Sequence, residues 1–129
     1  MVKETHDLTG IVRDSFGDSP ALADELLSLV LAGTKRATCW AAAADGPSLV
    51  GSLVVIVDST GVDRALIRIL SIVASRFCDV TEEFAFTEGE GDRSLAYWRK
   101  AHQEFFERTG KFDPQMDVWC ERFELVKAL

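Results

Sequence analysis

The sequence predicts an α+β fold, a mixed and largely antiparallel β-barrel with helices at its periphery. The helix-like and strand-like segments follow one another irregularly, as helix, strands, short helix, helix and strand. A doubly wound parallel sheet needs regularly alternating strand–helix units, so this order excludes it. The chain is also long enough to bury one core, and we expect a single domain over residues 1–129.

The first clear element is a helix in DSPALADELLSLVLAG, residues 18–33. Ser19 is a suitable N-cap, Pro20 suits the first turn, and Gly33 can supply the left-handed residue that ends the helix. The side chains at helical spacing that form its apolar stripe are Leu22, Leu26, Leu29 and Val30. We expect a shorter helix upstream, within residues 3–17.

Three segments predict strands. GSLVVIV at 51–57 is rich in β-branched residues, and RALIRILSIVASRF at 64–77 is a long, almost continuously apolar run. MDVWCERFELV at 116–126 alternates between apolar and polar residues, with an interruption near Glu121 and Arg122. Because each needs a partner, we expect them to share one curved sheet or barrel. ATCWAAAA, residues 37–44, stays open, since alanine favours a helix while the position of the segment favours a strand. DGPS, residues 45–48, predicts a turn.

Two helices are predicted before the last strand. TEEFAF, residues 81–86, favours one or two helical turns capped by Thr81. An acidic loop, EGEGD at 88–92, leads to a longer helix at 94–110, for which Asp92 is the candidate cap. The apolar face of this helix contains Leu95, Trp98, His102, Phe105 and Phe106.

Charge and composition restrict the class of ligand and the location. The chain has 14 basic and 21 acidic residues and a net charge of −7, whereas proteins that hold long nucleic acid through its phosphates are normally basic. We therefore expect a small nucleoside or short single-stranded RNA as partner, and no long duplex. No apolar run approaches the ~20 residues of a membrane-spanning helix, and the N-terminus lacks a signal-peptide stretch. We expect a cytoplasmic protein without a membrane partner; the oligomeric state stays open.

The cysteines agree with a reducing compartment. Cys39, Cys78 and Cys120 are odd in number, far apart and without a CxxC pair, which argues against a disulfide framework or a zinc knuckle. We expect each to be a small buried hydrophobe.

Three polar stretches are candidates for function: GTKRAT at 33–38, EGEGD at 88–92 and YWRKAH at 97–102. Each has an ordinary structural explanation when taken alone. A lysine in a turn is usually solvated, an acidic loop before a helix is usually a cap, and Trp98 and His102 at i and i+4 are usually core residues.

Taken together and in order, four segments resemble the ASCH-domain family across almost the whole chain: FGDSP, LVLAGTKRAT, FAFTEGEGDRSLAYWRKAHQEFF and VWCERFELV. The resemblance implies a PUA-like β-barrel and a role with RNA or modified nucleosides. One branch of the family hydrolyses the acetyl amide of N(4)-acetylcytidine, and another member type is a ribonuclease.

The resemblance also implies a site. The amidohydrolase branch uses a lysine and a threonine three residues apart and a glutamate from the later short-helix region, which makes Lys35, Thr38 and Glu88 the candidate catalytic residues. The chain is longer than that branch and carries EGEGD and an aromatic helix, so the substrate stays open. The candidate substrate-binding residues are Arg36, Trp40, Trp98, Arg99 and His102, with a tryptophan stacking on a pyrimidine.

The chemistry of this set places a condition on Lys35. A threonine hydroxyl is a poor nucleophile unless a base removes its proton. Lysine can be that base only if burial or a nearby cation, such as Arg36, lowers its pKa. Because an ion pair with Glu88 would raise the lysine pKa, the mechanism needs Glu88 to be protonated or to lie closer to the leaving group.

Two alternatives stay open beside the hydrolase, for which no cofactor is expected. A non-catalytic reader of RNA or nucleotides would use Lys35 and Arg36 for phosphate and a tryptophan for the base. A metal-dependent ribonuclease would hold Mg²⁺ through Glu88, Glu90 and Asp92, although the acidic chain offers little basic surface.

Overall fold

A curled five-stranded sheet forms the centre of the molecule. In the computed structural model, which describes residues 8–42 and 49–129, the strands are β1 Val12–Asp14, β2 Ala37–Ala41, β3 Leu53–Val57, β4 Asp63–Arg76 and β5 Asp117–Ala128. Their order in the sheet is β1-β3-β4-β5-β2, and only the β1–β3 pair among them is parallel. The predicted fold class is confirmed, because this mixed sheet curls into a half-barrel accompanied by three helices.

The three helices are α1 Pro20–Leu31, α2 Glu82–Glu88 and α3 Leu95–Thr109, and a 3-10 turn covers Phe77–Asp79. The predicted caps of the first two are confirmed: Ser19 Oγ accepts from the N–H of Leu22, and Thr81 Oγ1 accepts from the N–H of Phe84. None of these helices, within the described part of the chain, is long and apolar enough to cross a membrane.

The cap of α3 differs from the prediction. Ser94, not Asp92, is the N-cap, and its Oγ accepts from the N–H of Tyr97 at 3.0 Å. Asp92 instead accepts from the N–H of Ser94 at 2.9 Å and so holds the capping residue itself. Both types are good caps, and the chain direction entering the helix decides between them.

The segment before α1 is not the predicted helix. Its described part, residues 8–17, contains β1, which pairs Val12 with Val54 of β3. The rest of that prediction, residues 3–7, and the turn predicted at 45–48 lie outside the described residues. The open segment from residue 37 begins as strand β2, because β5 offers it an antiparallel partner.

Strand β5 is covered on both faces where it pairs with β2. Cys120 lies opposite Cys39, and both belong to a core cluster with Phe84 and Trp98 from the helices. Glu121 points to the other face, because side chains alternate along a strand, and it is also buried. Cys39 and Cys120 are buried free thiols as predicted, but the third cysteine, Cys78, is exposed.

The end of α2 packs directly against the backbone that follows α1. The N–H of Arg36 donates to the carbonyl of Thr87 at 2.9 Å. Gly89 ends the helix with φ of 75°, and a Cβ at this position would collide with the backbone carbonyl of Thr34. The close approach therefore requires glycine for two reasons, the left-handed backbone and the lack of space.

We predict that Gly89→Ala destabilises the protein by clearly more than Gly61→Ala. Both glycines have positive φ, 75° and 83°, but nothing lies within 4 Å of a Cβ at Gly61. The control therefore carries only the conformational cost of about 1 kcal/mol, whereas Gly89→Ala adds a collision with backbone. Urea denaturation of both variants measures the difference, and equal losses would contradict the close packing.

Candidate active site

Lys35 is buried although it follows directly after a helix. The backbone N–H groups of Thr34 and Lys35 both donate to the carbonyl of Leu29, at 3.0 and 3.1 Å, which turns the chain inward after α1. The side chain of Lys35 is only 1% exposed. The explanation of this lysine as part of a solvated turn is therefore excluded.

The ammonium group of Lys35 has three acceptors. Its Nζ lies 2.7 Å from the carbonyl oxygen of Ala37, 3.1 Å from Glu88 Oε1 and 3.0 Å from Glu90 Oε2. An ammonium group carries three N–H donors, so each donor has a partner. Nζ also lies 5.3 Å from the centre of the Phe16 ring.

Glu88, the last residue of α2, is held by α3 as well as by Lys35. Its Oε2 accepts a hydrogen bond from the indole N–H of Trp98 and lies 3.3 Å from His102 Nε2. Since its side chain is 1% exposed, the carboxylate depends entirely on these partners rather than on water. The two oxygens of Glu88 therefore receive donors from two segments of the chain, the residues after α1 and helix α3.

The contacts of His102 define its protonation. Its Nδ1 lies 2.9 Å from the carbonyl oxygen of Trp98, which can only accept, so Nδ1 carries a proton. Its Nε2 faces the carboxylate of Glu88 and must also carry a proton to bind it. Burial lowers the pKa of His102, but the charge of Glu88 and the hydrogen bond to it raise this pKa above its usual value.

The same contacts fix the charges of the other groups. Burial raises the pKa of Glu88, but His102 and Lys35 outweigh it and hold this pKa at about 2. Burial lowers the pKa of Lys35, and the charges of Glu88 and Glu90 more than reverse this, so the pKa is raised. The condition for Lys35 as a base is not met, because an ionised Glu88 binds it directly.

Glu90 is the least enclosed member of the cluster. Its side chain is 17% exposed, against 1% for Lys35 and Glu88. Burial and the charge of Glu88 raise the pKa of Glu90, although Lys35 opposes them. The sequence suggested Glu90 only as a metal ligand, and its pairing with Lys35 depends on a contact between residues 55 apart.

Thr38 lies where two cavities share their lining. A pocket of about 220 Å³ is lined by Lys35, Glu88, Glu90 and His102 together with Thr38. Thr38 also lines a cleft of about 1110 Å³, with Trp40 and Glu121. The three predicted catalytic residues are thus brought together, with the threonine facing the larger space.

Of the five predicted binding residues, two line a cavity and three do not. Trp40 lines the cleft, and His102 lines the smaller pocket. Trp98 is 2% exposed and stacks on His102 with 4.3 Å between the ring centres, so it has no free face for a base. Its indole N–H binds Glu88 and positions that carboxylate instead. Arg36 and Arg99 are exposed and line neither cavity.

The positions of the two arginines have local reasons. Arg36 follows the buried Lys35 and points to the opposite side of the extended chain. Arg99 lies on the outer side of α3 and donates to the carbonyl oxygen of Cys78 at 3.3 Å.

The predicted magnesium ligands are not brought together. Asp92 is exposed and its carboxylate accepts from Ser94. The described residues that do place ligand atoms within 4.8 Å of one another are Glu88, Glu90 and His102. Lys35 binds both of these carboxylates and His102 is protonated, so a divalent cation would have to displace an ammonium group and a proton. This cluster does not fit a metal ion.

Glu121 is a cleft residue that the sequence did not single out. It lies directly opposite Thr38 in the β2–β5 pair and is 5% exposed. The available signal was the interruption of the predicted apolar alternation at Glu121 and Arg122.

The chain belongs to the ASCH domain family, whose model matches residues 12–127, and its PUA-like fold agrees with this assignment. An ASCH domain from Lactobacillus crispatus is 33% identical with a TM-score of 0.82, over 92% of this chain and 80% of that one. A protein from Enterococcus faecalis is 28% identical with a TM-score of 0.81, over 95% and 84%. ZmASCH from Zymomonas mobilis, at 9% identity and a TM-score of 0.58 over 92% and 73%, shows the fold alone. No curated protein matches the chain.

We predict that Lys35→Met destabilises the fold by about 3–5 kcal/mol, because it leaves buried carboxylates without their counter-charge. Lys100→Met, at an exposed position of α3, is the control and should change the free energy of unfolding by less than about 0.5 kcal/mol. Chemical denaturation measures both variants. Similar values for the two would mean that Lys35 is not enclosed as described.

We predict that the stability contributed by His102 is lost at alkaline pH. The folded-state pKa of His102 is raised above 6.5, so its contribution is complete below pH 6.5 and disappears as the pH rises through that raised value. The difference in unfolding free energy between the wild type and His102→Gln should therefore shrink as the pH increases. His6 is present in both proteins and cancels. A difference that is constant with pH would contradict a protonated His102.

Proposed function

We propose that this ASCH-domain protein hydrolyses the acyl amide of a modified nucleoside of the N(4)-acylcytidine type, with Thr38 as the nucleophile. The observation that carries the proposal is the position of Thr38, which lines both the open cleft and the buried cluster of charges. A substrate in the cleft would present its amide carbonyl to the hydroxyl and to Lys35 together.

The dimensions and lining of the cleft support a small ligand. Its volume of about 1110 Å³ is comparable with the ~300–1,000 Å³ of small-molecule sites. Trp40 offers an aromatic wall, on which an unstacked pyrimidine would lie. The charged residues among the lining are four acids and one lysine, which oppose a long phosphate backbone: Asp14, Asp113, Asp117, Glu121 and Lys111.

The cost of the charged cluster also supports a functional site. Removing an ion from water costs several kcal/mol, and buried ion pairs are often replaceable by apolar residues without loss of stability. Here Lys35, Glu88 and His102 are all buried beside a cavity. Clusters of perturbed ionisable groups in a cleft are typical of catalytic sites.

Within this proposal Lys35 acts as a fixed cation. Glu88 positions the ammonium group, and His102 and Trp98 position Glu88 in turn. The half-enclosed Glu90 is the partner that a substrate oxygen would most easily replace. The ammonium group would then stabilise negative charge that develops on the amide oxygen during attack.

The two alternatives have less support. A reader of phosphate would need Lys35 and Arg36 together, but Arg36 is exposed and lines neither cavity. A metal-dependent ribonuclease would need Asp92 beside Glu88, and Asp92 is at the surface.

We expect the wild type to release acetate from N(4)-acetylcytidine and Thr38→Val to lose at least about 10³-fold in kcat, as when a catalytic nucleophile is removed. Valine has nearly the same volume, so the affinity for cytidine should change little. Thr60→Val, at an exposed turn outside both cavities, is the control. A coupled assay for acetate and calorimetric titration with cytidine measure the two quantities.

Two outcomes would decide against the proposal. Wild-type release of acetate no faster than in buffer would contradict the hydrolase, and full activity of Thr38→Val would contradict the nucleophile. EDTA should leave turnover unchanged, whereas cleavage of short single-stranded RNA that EDTA abolishes would support the ribonuclease instead.

A further inference from the structure

We propose that Glu121 is a further catalytic residue of this site, the base that removes the proton of Thr38. The inference rests on the proposed function, since it assigns the proton acceptor for the attack by Thr38. The site as predicted lacks a proton acceptor for Thr38. Lys35 and His102 are both protonated, and Glu88 binds both of them. The predicted catalytic set therefore contains no free base for the hydroxyl.

Strand register places Glu121 beside Thr38. The two residues are directly opposite one another in the antiparallel pair of β2 and β5. Directly opposed side chains lie on the same face of a sheet with Cβ atoms about 4.5–5.5 Å apart, which a glutamate can span to reach a hydroxyl. Both residues line the same cleft, where a substrate carbonyl would lie.

The burial of Glu121 favours a catalytic role over a purely structural one. Glu121 is 5% exposed, and its neighbour in the register of β4 is the apolar Ile72. A buried carboxylate costs more than a neutral or apolar side chain of similar size, and sheet pairing needs only the backbone.

One carboxylate, that of Glu121, is enough for every proton transfer in the reaction. Glu121 takes the proton of Thr38 Oγ1 while the bond from Oγ1 to the amide carbon forms. When the C–N bond breaks, Glu121 gives this proton to the leaving nitrogen, and cytidine departs. Glu121 then takes a proton from water, which attacks the acyl ester of Thr38, and returns it to Oγ1 as the carboxylic acid is released.

Glu121→Gln tests the role with little change of shape. We expect kcat for N(4)-acetylcytidine to fall by about 10²–10⁴-fold, the usual contribution of general base catalysis, with little change in the affinity for cytidine. Glu121→Asp should retain part of the activity. Glu124→Gln is the matched control, because Glu124 is exposed on the same strand and makes a 3.6 Å surface contact with Arg68.

A change of nucleophile separates catalysis from a structural role. In the Thr38→Cys background the thiol ionises without a strong base, since the pKa of a free cysteine is about 8.5. Glu121→Gln should therefore cost much less in that background than in the wild type. Equal losses in both backgrounds, or a fully active Glu121→Gln single variant, would overturn the inference.

The outcomes also separate this inference from the proposed function. Absence of wild-type turnover would contradict the proposed function itself. Turnover that Thr38→Val abolishes and Glu121→Gln leaves intact would contradict only the role of Glu121.

Discussion

The buried ammonium group of Lys35 is the interaction on which the rest of the site depends. It binds Ala37 on β2, Glu88 at the end of α2 and Glu90 in the acidic loop, so one charge joins three segments. Because this charge has no access to water, each acceptor has to be in place for the fold to tolerate it. The path of the chain around Lys35, including the glycine that lets α2 approach it, follows from this requirement.

The helix α3 supplies the remaining donors to Glu88. Trp98 and His102, one turn apart, both direct N–H groups at the same oxygen of Glu88. This explains why an aromatic helix follows the acidic loop. Its rings fill the core, and their nitrogen atoms fix the orientation and charge of the carboxylate that holds Lys35.

The sequence predicted those elements that local chemistry defines, and missed those that depend on partners. Caps and apolar stripes located the helices, while β1 is three exposed residues without an apolar pattern and exists because β3 pairs with it. Family resemblance proposed Lys35, Thr38 and Glu88 as candidates, but not that Glu88 ionises beside Lys35, since the two are 53 positions apart. The sequence also did not decide whether Trp98 stacks on a base or packs in the core. Spacing along a helix gives the face on which a side chain lies and not what covers that face. Glu121 left a visible signal, an interruption in the apolar alternation of β5, whose meaning depended on which residue of β2 lies opposite.

The separation of these residues along the chain has a consequence for the motions of the protein. A site made from one hairpin or one loop can open by local unfolding, while the remainder of the domain stays intact. The Lys35 cluster takes its members from the ends of two helices, from a loop and from the middle of a third helix, so it opens only when the packing between them is lost. The charges should therefore exchange protons with solvent through the smaller pocket that they line rather than through fraying of the backbone, and a ligand held there stabilises the whole domain at once.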